Sequence, residues 1–207
     1  MNNLATDVAI IGGGLAGATA AAMLGRAGHA AVLIEPHAEQ RPEFRCEKLD
    51  DSQLELLCRT GLADDVLPHT CAGGKVWVVR YGRVVDRNKN SPAGILYHDL
   101  VNTVRQQIPA SVPHIAAKVS AISGNAGRQR VSLANGDEIE ARLVILANGL
   151  NPGLRETLEI KREVLSPCHS ISIGFDMKPE GDLAFAFPSL TIYPEKPGRS
   201  MAYLTVF

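Results

Sequence analysis

Six residues near the start of the chain, Gly12-Gly13-Gly14-Leu15-Ala16-Gly17, satisfy the spacing G-x-G-x-x-G. Each glycine of the pattern has its own physical task. Gly12 permits a tight turn, Gly14 lets backbone approach a diphosphate, and Gly17 lets a following helix lie close to the preceding strand. A helix that opens at such a turn aims its free N–H groups and the positive end of its dipole at the diphosphate. Glu35 follows Gly17 by eighteen residues. A carboxylate there, at the end of the next strand, can accept both ribose hydroxyls of an adenosine. The bland alternative is a glycine-rich turn that binds nothing. A strand before the turn, a helix after it and an acid at the right distance argue against that alternative.

The surrounding pattern supplies those elements. Asp7 to Ile11 is a short apolar run ending in glycines and predicts a buried strand. Alanine-rich Gly17 to Ala27 predicts a helix stopped by Gly28, and Ala30 to Ile34 a second buried strand. Next comes a helix over Gln53–Thr60, with Ser52 and Glu55 as its capping-box pair and Leu54, Leu57 and Cys58 on one face. Lys75 to Arg87 predicts two short strands turning at Tyr81-Gly82. A helix from about Asp99 places Leu100, Val101, Val104 and Ile108 on one side. Asn135-Gly136 joins Val131–Leu133 to Glu138–Glu140 as a hairpin, and Leu143–Ala147 reads as a further buried strand. Near the end, Ile171–Ile173 and Ala202–Val206 alternate like strands, among Pro179, Pro188, Pro194 and Pro197.

A domain built for NAD would continue as helix, strand, helix, strand. Here the next parallel-type strand waits until about Ile115 and a β-meander follows, which argues against a plain NAD dehydrogenase. Composition narrows the field further. The 207 residues carry 21 basic and 22 acidic side chains, a net charge of -1, so nothing in the charge favours a nucleic-acid partner. Val8 to Gly25 is uncharged, but glycines break it and no basic region precedes it, so neither a membrane span nor a signal peptide is expected. Cys46, Cys58, Cys71 and Cys168 form no C-x-x-C pair and read as buried fillers. No metal site is expected, and a cytoplasmic setting fits reduced thiols. His169 beside Cys168 lacks a third partner, so no nucleophilic pair is assigned.

The whole sequence resembles the N-terminal half of an FAD-dependent monooxygenase of the p-hydroxybenzoate hydroxylase fold. Three places carry the likeness: the glycine turn with Glu35; Phe44-Arg45-Cys46-Glu47-Lys48-Leu49 before a helix ending at Thr60-Gly61-Leu62; and Ala147-Asn148-Gly149-Leu150-Asn151-Pro152-Gly153-Leu154-Arg155. The last is similar to the family's A-D-G-x-x-S-x-x-R signature, with Asn148 and Pro152 in place of aspartate and serine. Asparagine keeps the hydrogen-bonding carbonyl and loses the charge. The resemblance implies an α/β fold: a Rossmann-like FAD-binding domain of the glutathione-reductase class, with part of a β-rich substrate domain. It implies FAD contacts from Gly12, Gly13, Gly14, Leu15, Ala16, Gly17 and Glu35. It places Arg45 on the flavin side, His98 at the phosphates or ring, the Val119 backbone at the adenine, and Asn148 and Gly149 at the flavin. His98 reads equally as a surface histidine, and Val119 as a plain strand residue. Trp77, the only tryptophan, is expected to serve packing rather than substrate stacking, and the two-tryptophan signature of flavin halogenases cannot form.

The activity implied is reduction by NAD(P)H followed by transfer of one oxygen atom from dioxygen to a small aromatic or related substrate. No catalytic side chain is assigned, since the cofactor carries the chemistry. Two other readings stay open: a flavin reductase or dehydrogenase similar to the isoprenoid reductases, and a truncated remnant that binds flavin without turnover. Residues 1–71 and 97–165 are expected to form the FAD domain, and 72–96 with 166–207 a partial second sheet. The chain stops inside the strand-like Ala202–Phe207, so it is expected to be a fragment that self-associates through that strand.

Overall fold

The computed structural model describes residues 3–71, 76–88, 93–167, 169, 171–185, 191–194 and 203–206. Lys75, Cys168, Pro188, Pro197, Ala202 and Phe207, all named above, lie outside the described residues. The chain divides into two compact units, residues 1–41 with 101–172, and residues 42–100 with 173–207.

The first unit is built on β1 (Asn3–Ile11), α1 (Leu15–Arg26) and β2 (Ala31–Ile34). β1 pairs in parallel with β2, and the glycine turn sits between β1 and α1. β2 pairs in parallel with β7 (His114–Ile115), the late strand that the sequence placed near Ile115. The meander follows as β8 (Val119–Asn125), β9 (Arg128–Leu133) and β10 (Glu138–Leu146), completing a sheet of order β7-β2-β1-β10-β9-β8. Asn135-Gly136 does turn the β9–β10 hairpin, with Gly136 at φ +89.

Two expectations in this unit need correction. Leu143–Ala147 is not a separate strand. It continues the hairpin arm, because β1 runs beside β10 from Asn3↔Glu138 to Ile11↔Leu146 and so supports all nine residues. Ile171–Ile173 forms no strand. Both isoleucines are more than four-fifths exposed, and an alternating pattern without a partner strand leaves its backbone groups unpaired.

β2 and the Val8–Ile11 half of β1 are buried on both faces, as apolar runs in a parallel sheet require. Ala9, Ile11, Val32 and Ile34 join Val131, Leu133, Ile139 and Ala141 on one side. Val8, Ile10, Ala31 and Leu33 meet Ala21 of α1 and Val112 on the other.

The second unit contains a ribbon of β3 (Cys46–Leu49) and β6 (Ala93–Leu96), to which Cys71 adds an isolated bridge at Gly94. Its larger sheet has β4 (Val76–Arg80) and β5 (Arg83–Asn88) beside β11 (Thr191–Pro194) and β12 (Tyr203–Val206), in the order β12-β11-β4-β5. Tyr81 and Gly82 turn the β4–β5 hairpin with φ 51 and 73, the double positive φ of a type I′ turn. Helix α2 (Asp51–Arg59) starts earlier than expected. Asp50, not Ser52, is its cap: the Asp50 carboxylate accepts from the Gln53 backbone at 3.3 Å, and the Gln53 side chain accepts from the Asp50 N–H at 3.0 Å. Ser52 donates its hydroxyl to Asp50 at 2.9 Å instead. Leu54 and Leu57 are half-buried, but Cys58 is exposed. Cys71 is exposed too and Cys46 only partly buried, so none of the three described cysteines is a core filler. The short helix α3 (Ala63–Val66) buries Ala63 and Val66. Helix α4 (Tyr97–Gln106) begins in this unit, two residues before the expected Asp99, and ends in the first. A short helix α5 (Gly153–Thr157) follows β10, and among the described residues no helix is long and apolar enough to cross a membrane.

Candidate functional site

The glycine turn is fixed atom by atom. The Gly12 N–H donates to the Ile34 carbonyl at 2.9 Å, and Gly12 adopts φ +102, a left-handed conformation that suits glycine. A Cβ on Gly12 would lie 2.5 Å from the Ala147 carbonyl oxygen and 3.0 Å from Asn148 Cα. The end of β10 therefore closes directly on the turn, a contact that the Ala147 N–H to Ile11 carbonyl bond (2.8 Å) extends from the ladder. A Cβ on Gly17 would overlap the Gly12 carbonyl. Gly14 is the N-cap of α1, with no side-chain cap and no acidic residue in the first turn, so the helix itself supplies no anion to its dipole end.

Glu35 reaches back into the turn. One carboxylate oxygen accepts the Gly13 N–H at 2.9 Å and the other accepts the His37 N–H at 3.1 Å. A carboxylate oxygen has room for a second donor, so these bonds leave capacity for hydroxyl groups. Gly13 is flanked on its other side by Arg105 of α4, whose Nε donates to the Gly13 carbonyl at 2.7 Å. The same guanidinium donates to the carbonyls of His37 (2.9 Å) and Ala38 (3.0 Å). One helical turn earlier, Asn102 exchanges two bonds with the Gln40 backbone, at 2.8 and 3.0 Å. His114 Nε2 donates to the Glu35 carbonyl at 2.8 Å. Sequence reasoning missed Arg105, which grips the turn, and His114, which holds the Glu35 carbonyl.

Asn148 and Gly149 begin the loop after β10. The Asn148 amide donates to the Asn151 carbonyl at 3.1 Å, the Asn151 side chain accepts the Gly153 N–H at 3.0 Å, and Arg155 donates to the Leu150 carbonyl at 3.0 Å. Gly149 has φ +60 with open space where a Cβ would stand, so its requirement is conformational rather than steric. Val119 opens β8 opposite Leu133 and packs, half-buried, on the apolar cluster around Ile34.

Arg45 and His98 belong to the second unit. Arg45 pairs with Glu47 at 2.6 Å, and its guanidinium lies 3.9 Å from the centroid of the Tyr97 ring. His98 accepts the Glu43 N–H on Nδ1 at 3.3 Å, which leaves Nε2, 3.5 Å from Asp99, as its donor. Burial first, then the neighbouring Cys71, pushes the Cys46 thiol up to about 11.

The family model for an FAD binding domain matches residues 5–202 of this sequence. The chain belongs to that FAD binding domain family. It is 28% identical over 174 residues to the 3-demethoxyubiquinol 3-hydroxylase of Escherichia coli (strain K12), covering 75% of this chain and 44% of that one. The p-nitrophenol 4-monooxygenase PnpA from Pseudomonas putida DLL-E4 superposes with a TM-score of 0.66 at 19% identity, over 76% of this chain and 44% of its own. A variant of 2-methyl-3-hydroxypyridine-5-carboxylic acid oxygenase gives 0.64 at 23% identity, over 74% and 42%. The fold is thus that of the p-hydroxybenzoate hydroxylase type, and the chain spans less than half the length of these relatives.

The family implies FAD, and the turn fits it on its own geometry. Glycines stand where Cβ atoms would collide with backbone, α1 has no side-chain cap and no acid in its first turn, and the Glu35 carboxylate stands beside the turn.

Proposed function

We propose that the chain is the FAD-binding part of an NAD(P)H-dependent monooxygenase that hydroxylates a small aromatic or related substrate. The observation that carries this reading is the turn whose Gly13 is gripped by Glu35, opening on an uncapped helix, in a member of the FAD binding domain family. The relatives named above are a hydroxylase, a monooxygenase and an oxygenase, which favours oxygen transfer over simple reduction.

Bound FAD would supply the redox chemistry, taking electrons from the nicotinamide donor and passing them to dioxygen. The chain's own residues would bind and orient it. The first-turn N–H groups of α1 and the Gly14 N–H would hold the diphosphate, and Glu35 would accept the adenosine ribose hydroxyls. The Val119 backbone would meet the adenine. Asn148 and Gly149 would line the flavin from a loop that Arg155 holds closed at Leu150. Arg45 and His98 are assigned to the flavin side and the phosphates.

The visible spectrum of the purified protein tests the reading. A flavin band at roughly 450 nm that bleaches on adding NADH or NADPH, with hydroxylated product in air, is the expected result. Protein that stays colourless after incubation with FAD rejects it. A band that bleaches with peroxide as the sole product points to the reductase instead.

A further inference from the structure

We infer that Arg105 is a positioning residue for the diphosphate cradle, setting the direction of the Gly14 N–H through the Gly13 carbonyl. The inference rests on the FAD reading above.

A trans peptide is planar, with its C=O and N–H pointing opposite ways. The described residues contain no cis bond. Arg105 Nε holds the Gly13 oxygen at 2.7 Å, so the N–H of the same peptide, that of Gly14, must point away from α4. The preceding peptide is fixed in the same manner from the other side. Glu35 holds the Gly13 N–H at 2.9 Å, which turns the Gly12 carbonyl away, toward the place where a Gly17 Cβ would meet it. Two side chains of opposite charge therefore lock two successive peptide planes, one through a donor and one through an acceptor. A Cβ on Gly13 would stand 2.8 Å from an Arg105 nitrogen and 2.8 Å from Glu35 Cγ, so the two side chains close on that residue from both flanks.

Two further Arg105 bonds explain why an arginine performs this task. The guanidinium fork also takes the His37 and Ala38 carbonyls, two and three residues after Glu35. One planar group thus sets the turn and the strand-end acid at a common spacing, which an ammonium cannot do with one nitrogen. Because the cradle is set before ligand arrives, the ordering cost of binding is reduced.

The test uses ADP, which carries the diphosphate and the adenosine ribose without flavin, titrated calorimetrically into the 207-residue chain. Arg105→Gln is expected to weaken ADP binding roughly tenfold or more, the scale of losing charge-assisted hydrogen bonds. Asn102→Ala is the control. It releases the same loop at Gln40 without touching the turn, and should leave ADP affinity within about twofold. Arg105→Lys keeps the charge and stem, covers the case in which Arg105→Gln fails to fold, and is expected to fall between wild type and Arg105→Gln. Wild-type affinity in Arg105→Gln or in Arg105→Lys overturns the inference. So does an Asn102→Ala loss equal to that of Arg105→Gln, because the loop would then carry the effect. A wild-type chain that binds neither ADP nor FAD overturns the FAD reading itself.

Discussion

Gly13 occupies a position that the motif leaves free, yet this structure needs glycine there. Its neighbours are the Glu35 and Arg105 side chains at 2.8 Å from any added Cβ. Gly13→Ala should therefore displace both and lower FAD affinity by roughly tenfold, read by titration of flavin fluorescence. Gly17→Ala drives a methyl group into the Gly12 carbonyl. It is expected to cost about 1–3 kcal/mol and to abolish cofactor uptake, checked by thermal unfolding with and without FAD. Cys46 makes a separate expectation. With its thiol pushed up to about 11, it stays protonated at pH 8 and should alkylate far more slowly than an ordinary exposed cysteine. Time-resolved labelling with iodoacetamide and peptide mass mapping checks this; equal rates at Cys46 and the exposed Cys58 would contradict it.

At the scale of elements, the parallel strands and the helix between them were legible because their signals are local. Glycines mark the turn, alanines the helix, and unbroken apolar runs the strands. The Asn135-Gly136 and Tyr81-Gly82 hairpins were legible for the same reason, since positive φ names its residues. Arg105 was not legible. The carbonyls of Gly13, His37 and Ala38 that it holds lie 67 to 92 positions away in sequence, and a carbonyl has no residue type to read. The cap of α2 was misplaced by two residues because Asp50 and Gln53 meet the capping-box pattern as well as Ser52 and Glu55 do. Hydrogen bonds from the Ser52 hydroxyl and then the Gln53 N–H hold the Asp50 carboxyl below the usual carboxylate range. A depressed carboxylate contributes stability above its unfolded pKa of about 3.9, and loses it as pH falls through the lower folded value. Asp50→Asn, which keeps an acceptor without the charge, should flatten that acid limb, measured as helix content between pH 5 and pH 2.

For the whole molecule, membership of the FAD binding domain family makes stability a function of ligand. The glycine turn, Glu35 and Arg105 all lie in the first unit. FAD at a hundred times its dissociation constant should add about 2.7 kcal/mol to that unit and raise its melting midpoint, followed by differential scanning calorimetry. An unchanged midpoint at saturating FAD would contradict the assignment of the turn.

The second unit carries its own gauge. Trp77 is the only tryptophan in the chain, and it stands in β4 opposite Arg87, whose guanidinium lies 4.3 Å from the centroid of its ring. All indole emission therefore originates in the four-stranded sheet, and a stacked cation is a neighbour that separates when that sheet comes apart. Following emission during urea denaturation reads the melting of this unit with no label attached. Following bound-flavin absorbance in the same samples reads the other. Coincident midpoints identify one cooperative block, and separated midpoints identify two, so one indole turns a count of cooperative blocks into a measurement of light.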